Sequence, residues 1–209
     1  MFAALPFAWM VLTAFKTDND LYNPNNNPFA YNDPPTLENI TLLFTDTTYP
    51  TFILNTLIVA LAVVIITVII VVPAAYALTR LTGRWGESLG IAIFLVYLVP
   101  PTLLFIPLSQ IVSRFGLYNS YWALILVYPT FLIPFASWLL MGYFRTISRE
   151  LEDAALVDGA TRLQAMTRIV LPLAIPGVLS AGIFCFTLGW NEFLYALVFM
   201  GSGEMKTIP

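Results

Sequence analysis

The chain has 209 residues, of which 59% are hydrophobic and only 10% charged, where soluble globular domains carry roughly 25% charge, so it reads as an integral membrane protein. A net charge of −3 with no run of basic residues leaves a nucleic-acid partner unsupported. Histidine is absent and Cys185 is the single cysteine, which excludes a disulfide or a His/Cys metal cluster within one chain. Neither Lys16 nor Lys206 lies in a GxxxxGK[ST] context, so there is no phosphate-binding P-loop and any ATP must be held by another subunit.

Residues 1–15 are expected to be a partial first helix. The uncharged part, 2–15, would measure about 21 Å as a helix against a hydrocarbon core of about 30 Å. A signal peptide is the alternative, but no basic segment precedes this stretch and no small-residue cleavage site follows it. Residues 16–50 are polar, with NPNNNP at 23–28 and DPP at 33–35, and are expected to form an outer loop. Within that loop, TLENITLLF at 36–44 predicts one short amphipathic helix at the membrane surface.

Spanning helices are expected at 57–78, 89–112, 122–144 and 171–200, each an uncharged run apart from Glu192 in the last. Pro73 is expected to kink the first. Pro100, Pro101 and Pro107 in the second require neighbouring helices or a water-filled cavity to satisfy the freed carbonyls. Tyr118, Tyr121 and Trp122 at one end of the third run, and Tyr143 and Phe144 at the other, suit the two membrane interfaces. A polar loop, GSGEMKTIP, closes the chain.

Between the third and last runs lies a loop at 145–170, and the stretch 149–172 reads RELEDAALVDGATRLQAMTRIVLP. Two short helices with a break are expected. Ser148 caps the first, and Glu150, Glu152 and Asp153 lie in its opening turn, near the positive end of the helix dipole. Leu151, Ala154 and Ala155 share a small, flat face that another backbone could approach closely. Gly159 suits a left-handed C-terminal cap, and Thr161 with Gln164 is a capping-box pair for the second helix. Leu163, Met166 and Val170 give that helix an apolar stripe, and Pro172 ends or kinks it. On these features alone an ordinary amphipathic connector explains the stretch as well as a docking surface does.

The side carrying Arg80, Arg84, Arg145, Arg149, Arg162 and Arg168 outweighs the one carrying Lys16, Arg114 and Lys206, so the positive-inside rule makes 145–170 cytoplasmic. Glu192 then lies in the outer half of the membrane. An ionisable group there is costly unless it faces a cavity or a partner. With Asn191 and Trp190 beside it, Glu192 could serve a translocation path for a polyhydroxylated ligand. It could equally be a structural acid hydrogen-bonded within the bundle.

The stretch from Asp153 to Pro172 resembles the loop signature of the membrane subunits of bacterial binding-protein-dependent ABC importers. That signature is EAA, three residues, Gly, nine residues, Ile, one residue, Leu-Pro. Here the positions are held by Asp153-Ala154-Ala155, Gly159, Ile169 and Leu171-Pro172, with Asp153 for Glu as the one departure. AFKT at 14–17, TLENI at 36–40, LNTLIVA at 54–60, PAAYALTR at 73–80, LEDAALVDGAT at 151–161 and WNEF at 190–193 are similar to the carbohydrate branch, specifically the maltose-type second permease subunit.

The resemblance implies an all-α polytopic membrane bundle, multi-pass in the bacterial inner membrane, with a cytoplasmic coupling helix-turn-helix between the fourth and fifth spanning helices. MKTIP is similar to the lead-in to a sixth helix, so the sequence looks clipped at both ends. Glu152, Asp153, Ala154, Ala155, Asp158 and Gly159 would dock on a cytoplasmic ABC ATPase dimer that binds ATP and magnesium, and this chain would perform no covalent chemistry. A homologous second permease subunit and a periplasmic or lipid-anchored substrate-binding protein would complete an importer of a sugar or related polyol. Some permease subunits of this family contribute no direct sugar contacts. An ion-coupled secondary transporter would instead need an intramembrane relay and an internal repeat; Glu192 stands alone and no repeat is evident. A non-transporting membrane scaffold remains the third reading.

Overall fold

In the computed structural model, which describes residues 4–201 and 203–208, the chain is all-α, with no strand among the described residues. Residues 1–3 of the expected first helix and Ser202 and Pro209 of the expected closing loop lie outside the described residues. The chain divides into two units, one running to Ile53 and one starting at Leu54.

In the first unit, α1 (Leu5–Ala14) is short and apolar, with Pro6 in its first turn, where no backbone N–H is needed. The polar segment after it is more ordered than its Asn/Pro composition predicts. Thr17 caps α2 (Asp18–Tyr22), its hydroxyl accepting from Asp20 N at 3.2 Å. Asp20 then organises the loop: its carboxylate pairs with Lys16 at 3.3 Å and accepts from the Asn26 side chain at 3.1 Å and from Asn32 Nδ2 and N at 2.6 and 3.1 Å. Asn39, from α3 (Glu38–Thr45), donates to Lys16 O at 2.8 Å. The helix expected at 36–44 is present, two residues later at its start.

Helix α4 (Tyr49–Tyr76) begins eight residues before the expected run, in the last residues of the first unit, and passes through Pro73 in the second. It then widens into a π turn at Ala77–Leu81, closed by Thr82 N donating to Ala77 O at 3.2 Å. Tyr49–Leu81, Tyr121–Thr146 and Arg162–Trp190 are each long and apolar enough to cross a membrane. The first starts before and ends after the expected run at 57–78, and the third takes in the part of the 145–170 loop that starts at the Thr161–Gln164 capping box.

The run expected as one helix at 89–112 is two, α5 (Arg84–Tyr97) and α6 (Pro101–Arg114), which meet at 86°. Pro100 and Pro101 cause the break: neither has an N–H, and a residue preceding proline is pushed out of the α region, as Pro100 is, at ψ +129°. Helix α7 (Tyr121–Val127) runs through Tyr128 into α8 (Pro129–Thr146).

The expected helix at 171–200 is also broken. Helix α11 (Leu171–Trp190) stops at Asn191, and a short α12 (Leu194–Phe199) follows. Tyr195 of α12 donates its hydroxyl to Pro101 O at 2.6 Å and packs against Phe105 and Phe199, so the two broken runs meet each other.

Lipid is as apolar as leucine, so close fit rather than burial from water holds such a bundle together. Gly177 on α11 lies against the Tyr143 ring of α8, where a Cβ would come within 2.4 Å of Cγ, and Gly90 on α5 lies equally close to Met141. An aromatic seam continues the contact: Phe94 stacks on Trp138 at 4.8 Å, and Tyr97 and Phe184 both meet Phe135, at 5.2 and 5.7 Å. The backbone that follows α12 is tied to α4, with Asn55 Nδ2 donating to Lys206 O at 2.8 Å and Ile208 N to Thr56 Oγ1 at 2.8 Å.

Candidate functional site

The stretch between α8 and α11 folds as its local chemistry predicts. Ser148 Oγ accepts from Glu150 N at 3.2 Å and starts α9 (Arg149–Val157). Gly159 takes φ +90°, a left-handed conformation that other residues adopt only under strain. The carbonyls at the end of α9 are satisfied around it: Gly159 N donates to Leu156 O at 3.1 Å and Ala160 N to Ala155 O at 3.0 Å, the paired bonds of a Schellman cap. Thr161 and Gln164 form the expected capping box, Thr161 N donating to Gln164 Oε1 at 2.8 Å and Gln164 N to Thr161 Oγ1 at 3.3 Å.

Pro172 neither ends nor sharply breaks the second arm. After α10 (Arg162–Ala165) the helix widens into a π turn at Met166–Val170, with Leu171 N donating to Met166 O, and continues as α11. The wider turn accommodates the proline that has no N–H to give. The corner at Gly159 is therefore continuous, through one helical path, with Arg162–Trp190.

Asp153, Ala154, Asp158 and Gly159 are exposed and Ala155 is half-buried. Around them Leu151 is exposed, Val157 is 87% exposed and Leu163 68% exposed, giving a surface of small and apolar groups. Glu152 departs from this set. It is 4% exposed and turned into the bundle, so its carboxylate is not part of the surface expected to dock a partner. A helix of 3.6 residues per turn puts Asp153 outside and Glu152 inside, and adjacency in sequence conceals this.

What Glu152 meets was not legible in the sequence. Tyr76 donates its hydroxyl to Glu152 Oε1, and Arg80 Nε lies 3.6 Å from Glu152 Oε2. Arg80 also donates through Nη2 to Phe144 O at 2.9 Å and Ile147 O at 2.7 Å, the carbonyls at the end of α8. Arg149 donates to Thr79 O at 2.7 Å. Tyr76 and Arg80 lie within PAAYALTR, whose spacing carries no sign of a partner 76 residues away.

Asn191 and Glu192 lie at the break between α11 and α12. They line a cavity of about 610 Å³ together with Tyr97, Pro101, Thr130 and Phe131. The Glu192 carboxylate accepts from Tyr195 N at 3.1 Å and Ala196 N at 3.3 Å, capping α12, and from the Tyr128 hydroxyl at 2.9 Å. Glu192 is thus hydrogen-bonded within the bundle and also lines the cavity, so both roles open to it from sequence meet at one carboxylate. Asn191 is exposed, with Nδ2 donating to Thr187 O at 2.7 Å.

The sequence matches, over residues 2–209, the family described as binding-protein-dependent transport system inner membrane component. The chain belongs to that family. It is 37% identical to the sulfoquinovosyl glycerol transport system permease protein of Agrobacterium fabrum over 204 residues, 98% of this chain and 71% of that one. It is 33% identical to an inner membrane ABC transporter permease protein of Escherichia coli, across 98% of this chain and 73% of the relative. With the trehalose/maltose transport system permease protein of Thermococcus litoralis it shares 31% identity, again over 98% and 73%. A crystal structure of a bacterial ABC transporter involved in the import of the acidic polysaccharide alginate superposes with a TM-score of 0.81, over 97% of this chain and 70% of that chain. At 22% identity the last likeness concerns the fold. This chain is therefore a multi-pass membrane permease of the binding-protein-dependent type.

Proposed function

We propose that this permease is the membrane subunit of an ATP-driven importer that moves a sugar or related polyol across the bacterial inner membrane by alternating access. The observation that carries the reading is the α9–Gly159–α10 corner, exposed, rigidly capped and continuous with α11. Its surface of Asp153, Ala154, Ala155, Asp158 and Gly159 suits close docking by a cytoplasmic ATPase dimer, which binds ATP and magnesium. The permease itself carries no covalent chemistry. A homologous second permease subunit would face it across the pathway, and a periplasmic or lipid-anchored binding protein would deliver substrate.

The sugar assignment is supported by the relatives from Agrobacterium fabrum and Thermococcus litoralis, permeases of sulfoquinovosyl glycerol and trehalose/maltose transport systems. The cavity at the broken helices supports it further, because Tyr97 and Phe131 offer ring faces and Asn191 a carboxamide. The ion-coupled alternative loses its motive, since Glu192 is engaged as a helix cap. The test is Gly159→Val in the assembled transporter. A β-branched residue at φ +90° strains the corner by about 1–3 kcal/mol, so ATPase co-purification or ATP-driven uptake should fall. Unchanged co-purification and unchanged uptake would remove the docking reading.

A further inference from the structure

Three elements meet at one buried point. Glu152 belongs to α9, Tyr76 and Arg80 to the end of α4 and its π turn, and the carbonyls that Arg80 holds to the end of α8 and its link into α9. The Arg80 and Glu152 side chains are 4% and 6% exposed. A buried ion pair of this kind contributes little stability beyond what well-packed apolar residues would supply, so stability alone is a weak reason for it. Breaking such a pair is a different matter, because it strands a buried charge.

The pair is also slack. Arg80 Nε and Glu152 Oε2 are 3.6 Å apart, and neither atom has a hydrogen-bond partner among the described residues. It sits on a π turn, a rare single-turn feature found frequently at functional sites. Arg149, on the first turn of α9, ties the same turn a second time through Thr79 O.

We propose that Tyr76, Arg80 and Glu152 are positioning residues of transport, forming the joint through which a displacement of α9 moves α4 and α8 together. This rests on the docking reading of α9. If α9 moved alone, Glu152 would leave both Tyr76 and Arg80 and two charges would be stranded in a buried site. Moving the ends of α4 and α8 with it keeps every contact, so the three elements travel as one piece. Glu152 acts from inside the bundle and Asp153 from its surface, which divides two adjacent acids into transmission and docking.

The test uses the transporter assembled with its ATPase in lipid nanodiscs, carrying Cys185→Ser. Spin labels are placed at Glu150→Cys on α9 and Leu81→Cys on the π turn, both exposed positions. Label separation is measured without nucleotide and with MgATP on a hydrolysis-deficient ATPase. With the joint intact the separation is the same in both states. In Glu152→Gln it changes on adding MgATP, by up to about 5 Å, one helical turn. Tyr76→Phe, which keeps the ring and loses only the hydroxyl, changes it less and in the same direction.

A separation that changes in the parent, or that stays constant in Glu152→Gln, overturns the joint. So does loss of ATPase co-purification in Glu152→Gln, which would make Glu152 a docking residue. If the ATPase does not co-purify with the unmodified chain, the docking reading fails and the joint with it. Co-purification with the same separation in every variant removes the joint alone.

Discussion

Tyr128 and Glu192, 64 residues apart, are joined by a hydrogen bond of 2.9 Å from the phenol to the carboxylate. The bond ties the junction of α7 and α8 to the break between α11 and α12, and the same carboxylate accepts two backbone N–H groups of α12. Glu192→Ala should therefore remove a helix cap and orphan a phenol at once, lowering stability by about 2 kcal/mol. Glu192→Gln, which keeps an acceptor, should cost less. Thermal unfolding in detergent separates them, and equal midpoints for the two variants would contradict the cap.

Gly177 sits where a Cβ would meet the Tyr143 ring at 2.4 Å, an overlap that a flat aromatic against a helix backbone cannot relieve by a small rotation. Gly177→Ala should force α8 and α11 apart and cost about 1–3 kcal/mol by overpacking. Pairing it with Tyr143→Leu should recover part of the loss. Thermal midpoints that fall as far in the double variant as the two single losses combined would show that the contact is not what limits the approach.

Thr67 on α4 is fully buried, and among the described residues its hydroxyl has no hydrogen-bond partner. Replacing an unpaired hydroxyl by a methyl of nearly the same shape removes a desolvation penalty, so Thr67→Val should be neutral or stabilising by about 1 kcal/mol. A clear fall in the unfolding midpoint would mean that the hydroxyl makes a stabilising hydrogen bond, contrary to this geometry.

In the first unit, burial would raise the carboxyl of Asp20, but the Asn32 side chain and N–H, aided by Lys16, outweigh it and hold the group below its ordinary 3.8. A depressed folded-state pKa contributes stability above the unfolded value, and that contribution disappears as pH falls through the lower one. Protease resistance of the 16–36 segment should therefore be flat from neutral pH down to pH 5 and fall only below about 3.8, the ordinary value for this carboxyl. Asp20→Asn should abolish that acid limb; an acid limb of the same size in the variant would assign it to another group.

Much of this protein was legible in the linear sequence because the forces responsible are local. The Ser148 cap, the left-handed turn at Gly159 and the Thr161–Gln164 box each involve groups within a few residues of one another. The uncharged runs announce membrane helices because unpaired backbone is costly in lipid over a fixed thickness. The prolines at 100 and 101 announced strain, yet whether the chain would kink or turn through 86° depended on what received the second half, and α12 received it through Tyr195.

The fate of the two acids was the part only tertiary structure decided. Glu152 reads as one of several carboxylates on a docking helix, and Glu192 as a lone charge in a span. The first is buried against Tyr76 and Arg80, and the second caps a helix and holds Tyr128. Local spacing determines which face of a helix a residue occupies only once the neighbouring helices define an inside. The phenols that meet them, Tyr76 and Tyr128, lie 76 and 64 residues away, where loop closure leaves no periodic trace.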